Sequence, residues 1–202
     1  MNDQIVIAAS VVCWGAVVIV WLAGALYNAR HAPKERIRSE AQPFTLAAAA
    51  FLVCSIVIFF GRGIAQSLVV DAPWVRYLGL AVLIASTAFA LWARFSLGTS
   101  WSIAPEVGGD RRLRMQGPYA VTRHPIYTGL LGMIIGTALL AGLGQAILAV
   151  VAGLIVFSVK IHAEERLLLQ NFPDEYPAYR QRVPQLVPGL RLRRAASAER
   201  SG

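Results

Sequence analysis

The chain has 202 residues, of which 56% are hydrophobic and 15% charged, and its mean hydropathy is +0.56. This balance excludes an ordinary soluble domain and leaves a membrane protein. The net charge of +8 would suit nucleic acid in a soluble protein, but the arginines lie between apolar blocks and in the tail, a distribution that sets membrane orientation instead.

The first apolar block, IVIAASVVCWGAVVIVWLAGALY, covers residues 5–27. It is long enough for a hydrocarbon core that needs roughly 20 helical residues and exceeds the roughly 7–15 of a signal-peptide core. No basic region precedes it in MNDQ, so it reads as a span. Two further spans are expected at about 44–66 and 73–95, each with one arginine near an end, Arg62 and Arg76, where a long side chain snorkels to the headgroups. Cys13 and Cys54 fall inside apolar runs without metal-ligand spacing and read as packing residues.

Residues 126–160, IYTGLLGMIIGTALLAGLGQAILAVVAGLIVFSVK, form one apolar run about twice the usual length of a single helix, with AGLGQ at its middle. This pattern predicts a tight helical hairpin of two short spans, 126–142 and 145–160. Gly129, Gly132, Gly136, Ala152 and Gly153 are expected to let the two hairpin helices approach closely. Positive charge in the loops after the first and third spans, and in the tail, alternates with short turns that carry little positive charge. Five spans satisfy it, with the amino terminus outside and the loop 96–125 and the segment 161–202 in the cytoplasm. The expected fold is therefore an all-α integral membrane protein of five transmembrane helices in a single domain, 1–202. Its Ala- and Arg-rich composition suits a bacterial inner membrane, and the end RLRRAASAERSG reads as a disordered basic tail near anionic headgroups.

Three polar stretches then share one side: LGTSWSIAPEVGGDRRLRMQGPY, RHPIYTG and KIHAEERLLLQNFPDEYPAYRQRVPQLVPG. The hairpin brings His124 close to Glu164 and Glu165. Pro125 lacks a backbone donor and holds Arg123 and His124 extended, so His124 precedes the helix near its positive end, where an anion is favoured. The same residues also suit interfacial anchors, with Tyr127 in the aromatic belt. Adjacent carboxylates on a helix point about 100° apart and cannot both serve one pair of residues four apart, so one is expected to face the hairpin cleft and the other its surroundings. An ionised carboxylate, purely an acceptor, suits a ligand ammonium or vicinal ribose hydroxyls, while simple surface pairing, as between Lys160 and Glu164 four residues apart, is the plainer use. His31, His124 and His162 lie in separate segments without thiolates, so no metal is expected. There is no phosphate loop after a strand, no nucleophile elbow and no nucleic-acid motif.

Taken in order, LGTSWS, GPYAVTRHPIYTGLLG, EERLL and FPDEYPAYRQRVPQLVP resemble the membrane methyltransferases of the isoprenylcysteine carboxyl methyltransferase family, with phospholipid methyltransferases as near relatives. The likeness covers residues 97–188. It implies a methyltransferase that uses S-adenosyl-L-methionine on a lipid-like acceptor at the cytoplasmic side of the bilayer, an isoprenylcysteine-type carboxylate being one candidate. It implies a cofactor site of His124, Tyr127, Glu164 and Glu165, with Tyr119, Arg123 and Tyr176 beside them. Tyr179, Arg180 and Arg182 would shape the cap or the reaction centre, Arg182 being the first choice to orient a carboxylate acceptor and Arg180 the second. Sterol reductases share a similar GPY…RHP…Y arrangement, so an NADPH-dependent membrane reductase is the enzymatic alternative and a membrane scaffold the non-enzymatic one. Five spans leave little room for a deeply enclosed polycyclic substrate, and a scaffold leaves the clustered polar residues unexplained. The acceptor group (carboxylate, phenol, amine or thiol), the choice between Glu164 and Glu165 and the oligomeric state stay open at this level.

Overall fold

The computed structural model describes residues 2–31, 37–38, 72–98, 106–107, 113–141 and 143–190. The second span expected at 44–66, part of the loop 96–125 and the basic tail beyond 190 lie outside the described residues.

The described elements are α1 (Asp3–His31), β1 (Ile37–Arg38), α2 (Pro73–Leu97), β2 (Glu106–Val107), α3 (Pro118–Val121), α4 (Pro125–Ala141), α5 (Leu143–Asn171) and α6 (Glu175–Arg182). The architecture is helical. The ribbon β1–β2, antiparallel with Ile37 opposite Val107, adds a short tie between the loop after α1 and the loop after α2 that the all-α reading does not contain. Among the described residues, α1 over Asp3–Tyr27 and α2 over Pro73–Leu97 are long and apolar enough to cross a membrane. Apolar residues of α1 and α2 that point away from the protein, such as Val11, Ile19, Leu22, Trp74, Ile84 and Phe95, suit contact with lipid.

Prolines start three of these helices. Pro73, Pro118 and Pro125 occupy first-turn positions where the missing N–H has no intrahelical acceptor and the ring presets φ. Gly98, at φ 52, ends α2 and returns its N–H to the Phe95 carbonyl, a left-handed conformation that glycine adopts without a Cβ clash.

The glycines of α4 face α2, not α5, which corrects the hairpin packing expected from sequence. A Cβ on Gly129 would sit 2.7 Å from Ala90 Cβ, and one on Gly136 would sit 2.6 Å from the Leu83 nitrogen. On α2, Gly79 reciprocates, since its Cβ would fall 2.9 Å from the Gly136 carbonyl oxygen. Residues 129, 132 and 136 follow helical spacing, so they make one smooth stripe on which α2 lies backbone to backbone. Gly153 of α5 does face α4, with a virtual Cβ 3.1 Å from Ile134 Cδ1, the mobile end of a side chain. A hairpin neighbour in sequence is thus only one of the surfaces a helix packs on.

Val17, Leu83, Met133 and Leu140 form a core shared by α1, α2 and α4. Trp14 Nε1 donates to Thr137 Oγ1 at 3.0 Å and ties α1 to α4 by a polar contact inside the apolar layer. A second core of Leu167, Phe172, Tyr176 and Tyr179 packs the end of α5 against α6. Because α5 continues past Lys160 to Asn171, both glutamates are carried on a rigid helix.

Candidate active site

Between α3 and α4 the chain is extended at Thr122, the C-cap of α3, with φ −141 and ψ 153. This short extended piece pairs with the segment after α6. The Arg123 N–H donates to the Pro184 carbonyl at 2.9 Å and the His124 N–H to the Gln185 carbonyl at 3.2 Å. Thr128 Oγ1 donates to the Leu186 carbonyl at 2.7 Å. The carboxy-terminal segment is therefore laid along the start of α4.

His124 is buried at the centre of the cluster. Its Nδ1 lies 3.5 Å from Glu164 Oε2, and its Nε2 lies 3.4 Å from Glu165 Oε1. The two carboxylates then diverge. The Tyr127 hydroxyl donates to Glu164 Oε1 at 2.5 Å. Glu165 instead pairs inward, with Arg123 Nη2 at 2.9 Å from its Oε1, and accepts a bond from Gln185 Nε2 at 3.1 Å. The Glu164 side chain is 24% exposed and that of Glu165 only 12%. The ring of Tyr127 stacks between His124 and Phe157, at centroid separations of 5.9 and 5.3 Å, and Lys160 Nζ lies 5.5 Å from its centre. An open carboxylate beside an aromatic wall is what the fold presents at this point.

The charges support one another. Burial alone would lower the His124 pKa, but the hydrogen-bonded carboxylates of Glu164 and Glu165 outweigh it and raise the pKa above 6.5. Burial alone would raise that of Glu165, but His124, Arg123 and Gln185 pull it down to about 2. Burial pushes the phenols of Tyr119 and Tyr176 well up, reinforced by Glu164 at the first and Glu165 at the second, so both stay neutral donors.

His124, Tyr127, Glu164, Glu165, Arg123, Tyr119, Tyr176, Tyr179 and Arg180 thus come together around the α4 start. Arg182 does not. It is exposed, and its Nε turns back to the Ala178 carbonyl of its own helix at 3.2 Å. Arg180 is half-buried with Nε 4.0 Å from Glu165 Oε2. On α6, positions 176, 179 and 180 share a face, while 182 lies about 160° around the helix from 180. Tyr179 reaches the cluster but commits its hydroxyl to the Tyr119 carbonyl at 2.7 Å. Gln185, Thr122 and Thr128 were not foreseen. For Gln185 the signal lay in VPQLVP, where Pro184 and Pro188 lack donors and leave carbonyls for the RHP segment to meet; Thr122 and Thr128 flank RHPIY itself. The Tyr176 hydroxyl is buried without a well-formed hydrogen bond in the protein, and His124 Nε2 has only the 3.4 Å contact to Glu165. Among the described residues, no His, Cys, Asp and Glu group is arranged to hold a metal ion.

A family model described as phospholipid methyltransferase matches residues 74–175, half of the chain, and spans His124, Tyr127 and both glutamates. The chain belongs to the phospholipid methyltransferase family. It is 31% identical over 120 residues to protein-S-isoprenylcysteine O-methyltransferase B of Arabidopsis thaliana, covering 57% of this chain and 60% of that one. It is 35% identical over 101 residues to the protein-S-isoprenylcysteine O-methyltransferase of Schizosaccharomyces pombe, covering 48% and 42% of the two. A solved structure of the eukaryotic intramembrane Ras methyltransferase, isoprenylcysteine carboxyl methyltransferase, superposes with a TM-score of 0.53 at 26% identity, covering 76% of this chain and 54% of that one. The chain spans about half the length of these relatives. The likeness read in the sequence to isoprenylcysteine carboxyl methyltransferases holds in sequence and in fold.

Proposed function

We propose that the protein is a membrane-embedded methyltransferase that uses S-adenosylmethionine to methylate a lipid-like acceptor. The observation that carries this reading is the division of labour around His124, in which Glu165 is tied inward and Glu164 is left partly open beside Tyr127 and Phe157. The residues fit the cofactor. A partly exposed carboxylate suits ribose hydroxyls or an ammonium group, and the buried Tyr176 hydroxyl is a polar atom without a well-formed hydrogen bond in the protein. When bound, the cofactor supplies an electrophilic methyl group on a sulfonium centre.

The chain's own residues then hold, orient and shield. Glu164 accepts hydrogen bonds, and His124, its pKa raised by the two carboxylates beside it, fixes both of them. Arg180 is the cation beside the cluster and the residue placed to orient an anionic acceptor such as an isoprenylcysteine-type carboxylate. A carboxylate acceptor needs no general base, whereas a phenol or amine requires removal of a proton. The same reading puts the site on the cytoplasmic side of a bacterial inner membrane, with the amino terminus outside. There an acceptor's lipid tail stays in the bilayer while the soluble cofactor arrives from water.

Thermal unfolding of the detergent-solubilised protein tests this. S-adenosylhomocysteine at 100 times its Kd should stabilise the folded state by about 2.7 kcal/mol, while NADPH should leave it unchanged. Stabilisation by NADPH alone would make the protein a reductase, and stabilisation by neither would favour a scaffold. Labelled S-adenosylmethionine incubated with the protein and membrane lipid extracts, followed by mass spectrometry, then identifies the acceptor.

A further inference from the structure

We propose that Arg123 is a positioning residue, a clasp that docks the segment after α6 onto the start of α4, and not a contact to cofactor or acceptor. Its guanidinium points in two directions at once. Nη2 meets Glu165 Oε1 at 2.9 Å, while Nη1 donates to the carbonyls of Arg180 at 2.8 Å and Val183 at 3.3 Å. Those carbonyls belong to the last turn of α6, where a helix has no intrahelical donors to offer and where its dipole favours a cation.

Only a planar fork serves a carboxylate on one edge and a helix end on the other, which a lysine ammonium cannot reproduce. The side chain is 9% exposed, and its two terminal nitrogens are both committed within the protein, so the guanidinium presents little surface to a ligand. The main chain repeats the tie, since the N–H groups of Arg123 and His124 both end on carbonyls of the docked segment. The clasp has two consequences. It holds Glu165 against His124, and it sets where the Arg180 backbone lies, and with it the side chain that stands 4.0 Å from Glu165.

The inference rests on the methyltransferase reading only for its ligand readout. Hydrogen exchange read by mass spectrometry on the full chain in detergent, for the wild type, Arg123→Lys and Arg123→Gln, tests the docking itself. Amides 123 and 124 report it because their acceptors lie on the docked segment. In Arg123→Gln their exchange should accelerate about tenfold or more, the loss expected for charge-assisted bonds, with peptides of α1 and α2 unchanged. Arg123→Lys, which keeps the charge facing Glu165, should restore part of the protection, and the Kd for S-adenosylhomocysteine should follow the same order. Wild-type exchange at amides 123 and 124 together with lost binding would make Arg123 a ligand contact and overturn the clasp. If Arg123→Gln exchanges throughout the molecule, Arg123→Lys decides: faster exchange confined to 123 and 124 supports the clasp, and wild-type exchange there refutes it. Failure of the wild type to bind S-adenosylhomocysteine would sink the methyltransferase reading and leave the exchange result standing.

Discussion

Glu164 and Glu165 are adjacent on α5, yet they address opposite nitrogens of one imidazole, Nδ1 at 3.5 Å and Nε2 at 3.4 Å. The ring of His124 is wide enough to bridge the divergence between consecutive helical side chains, so one residue orients both carboxylates. The rest follows from what each meets beyond the ring. Glu165 finds Arg123 and Gln185 and is an internal anchor, while Glu164 finds Tyr127 and the open side.

Exchanging each glutamate for its amide separates these roles. Glu164→Gln should weaken S-adenosylhomocysteine binding by about 10- to 100-fold, the worth of charge-assisted hydrogen bonds, with little change in the unfolding midpoint of the ligand-free protein. Glu165→Gln should lower that midpoint first, because it leaves the Arg123 guanidinium buried without its counter-charge. Calorimetric titration and scanning fluorimetry read the two effects. Wild-type affinity in both variants would remove the carboxylates from the site.

Arg180 and Arg182 differ by two positions and face different surroundings. Arg180→Lys should reduce turnover of a carboxylate acceptor about tenfold or more, since a point charge replaces a bidentate fork, while cofactor affinity is nearly kept. Arg182→Lys should turn over normally, since that side chain is exposed and bonds its own helix. Equal kinetics in both variants would point to a neutral acceptor instead.

The central cluster also sets a pH optimum for stability. The Glu165 carboxyl is depressed from 4.5 to about 2, so its contribution is complete above pH 4.5 and is lost as the pH falls toward 2. His124 is raised above 6.5, so its contribution is complete below pH 6.5 and is lost as the pH rises through its folded value. The two windows overlap between pH 4.5 and 6.5. The difference in apparent Tm between the wild type and His124→Gln should be largest there and shrink toward alkaline pH. A difference that does not shrink as the pH rises above 6.5 through the alkaline range would remove the charged imidazole from the account.

The glycine stripe gives a packing test. Gly136→Ala places a methyl 2.6 Å from the Leu83 nitrogen, against backbone that cannot yield, and should cost about 1–3 kcal/mol of stability with loss of folded protein in detergent. Gly153→Ala meets only the end of the Ile134 side chain and should cost much less. Gly15→Ala, which meets nothing within 4 Å, is the neutral control. Equal tolerance at positions 136 and 153, seen in unfolding curves, would mean that α2 and α4 are not in close contact.

Much of this was legible in the residues themselves. A 23-residue stretch as apolar as 5–27 has to be helical and membrane-facing, because a hydrocarbon core offers backbone groups no other partner. RHPIY and EERLL had to meet once the run between them was read as a hairpin, because a tight turn returns the chain to its starting side. Which face each helix turns to its neighbours was decided only by the assembled structure. Rotational phase depends on every surface a helix packs against, and nothing local distinguishes Glu164 from Glu165, or Arg180 from Arg182, until α4 and α6 are in place. For the same reason the glycines of α4 found α2 instead of α5. Arg123 shows the limit most clearly: its sequence neighbours suggest a ligand contact, but its three acceptors, Glu165 and the carbonyls of Arg180 and Val183, come from distant parts of the chain that only tertiary folding brings within reach.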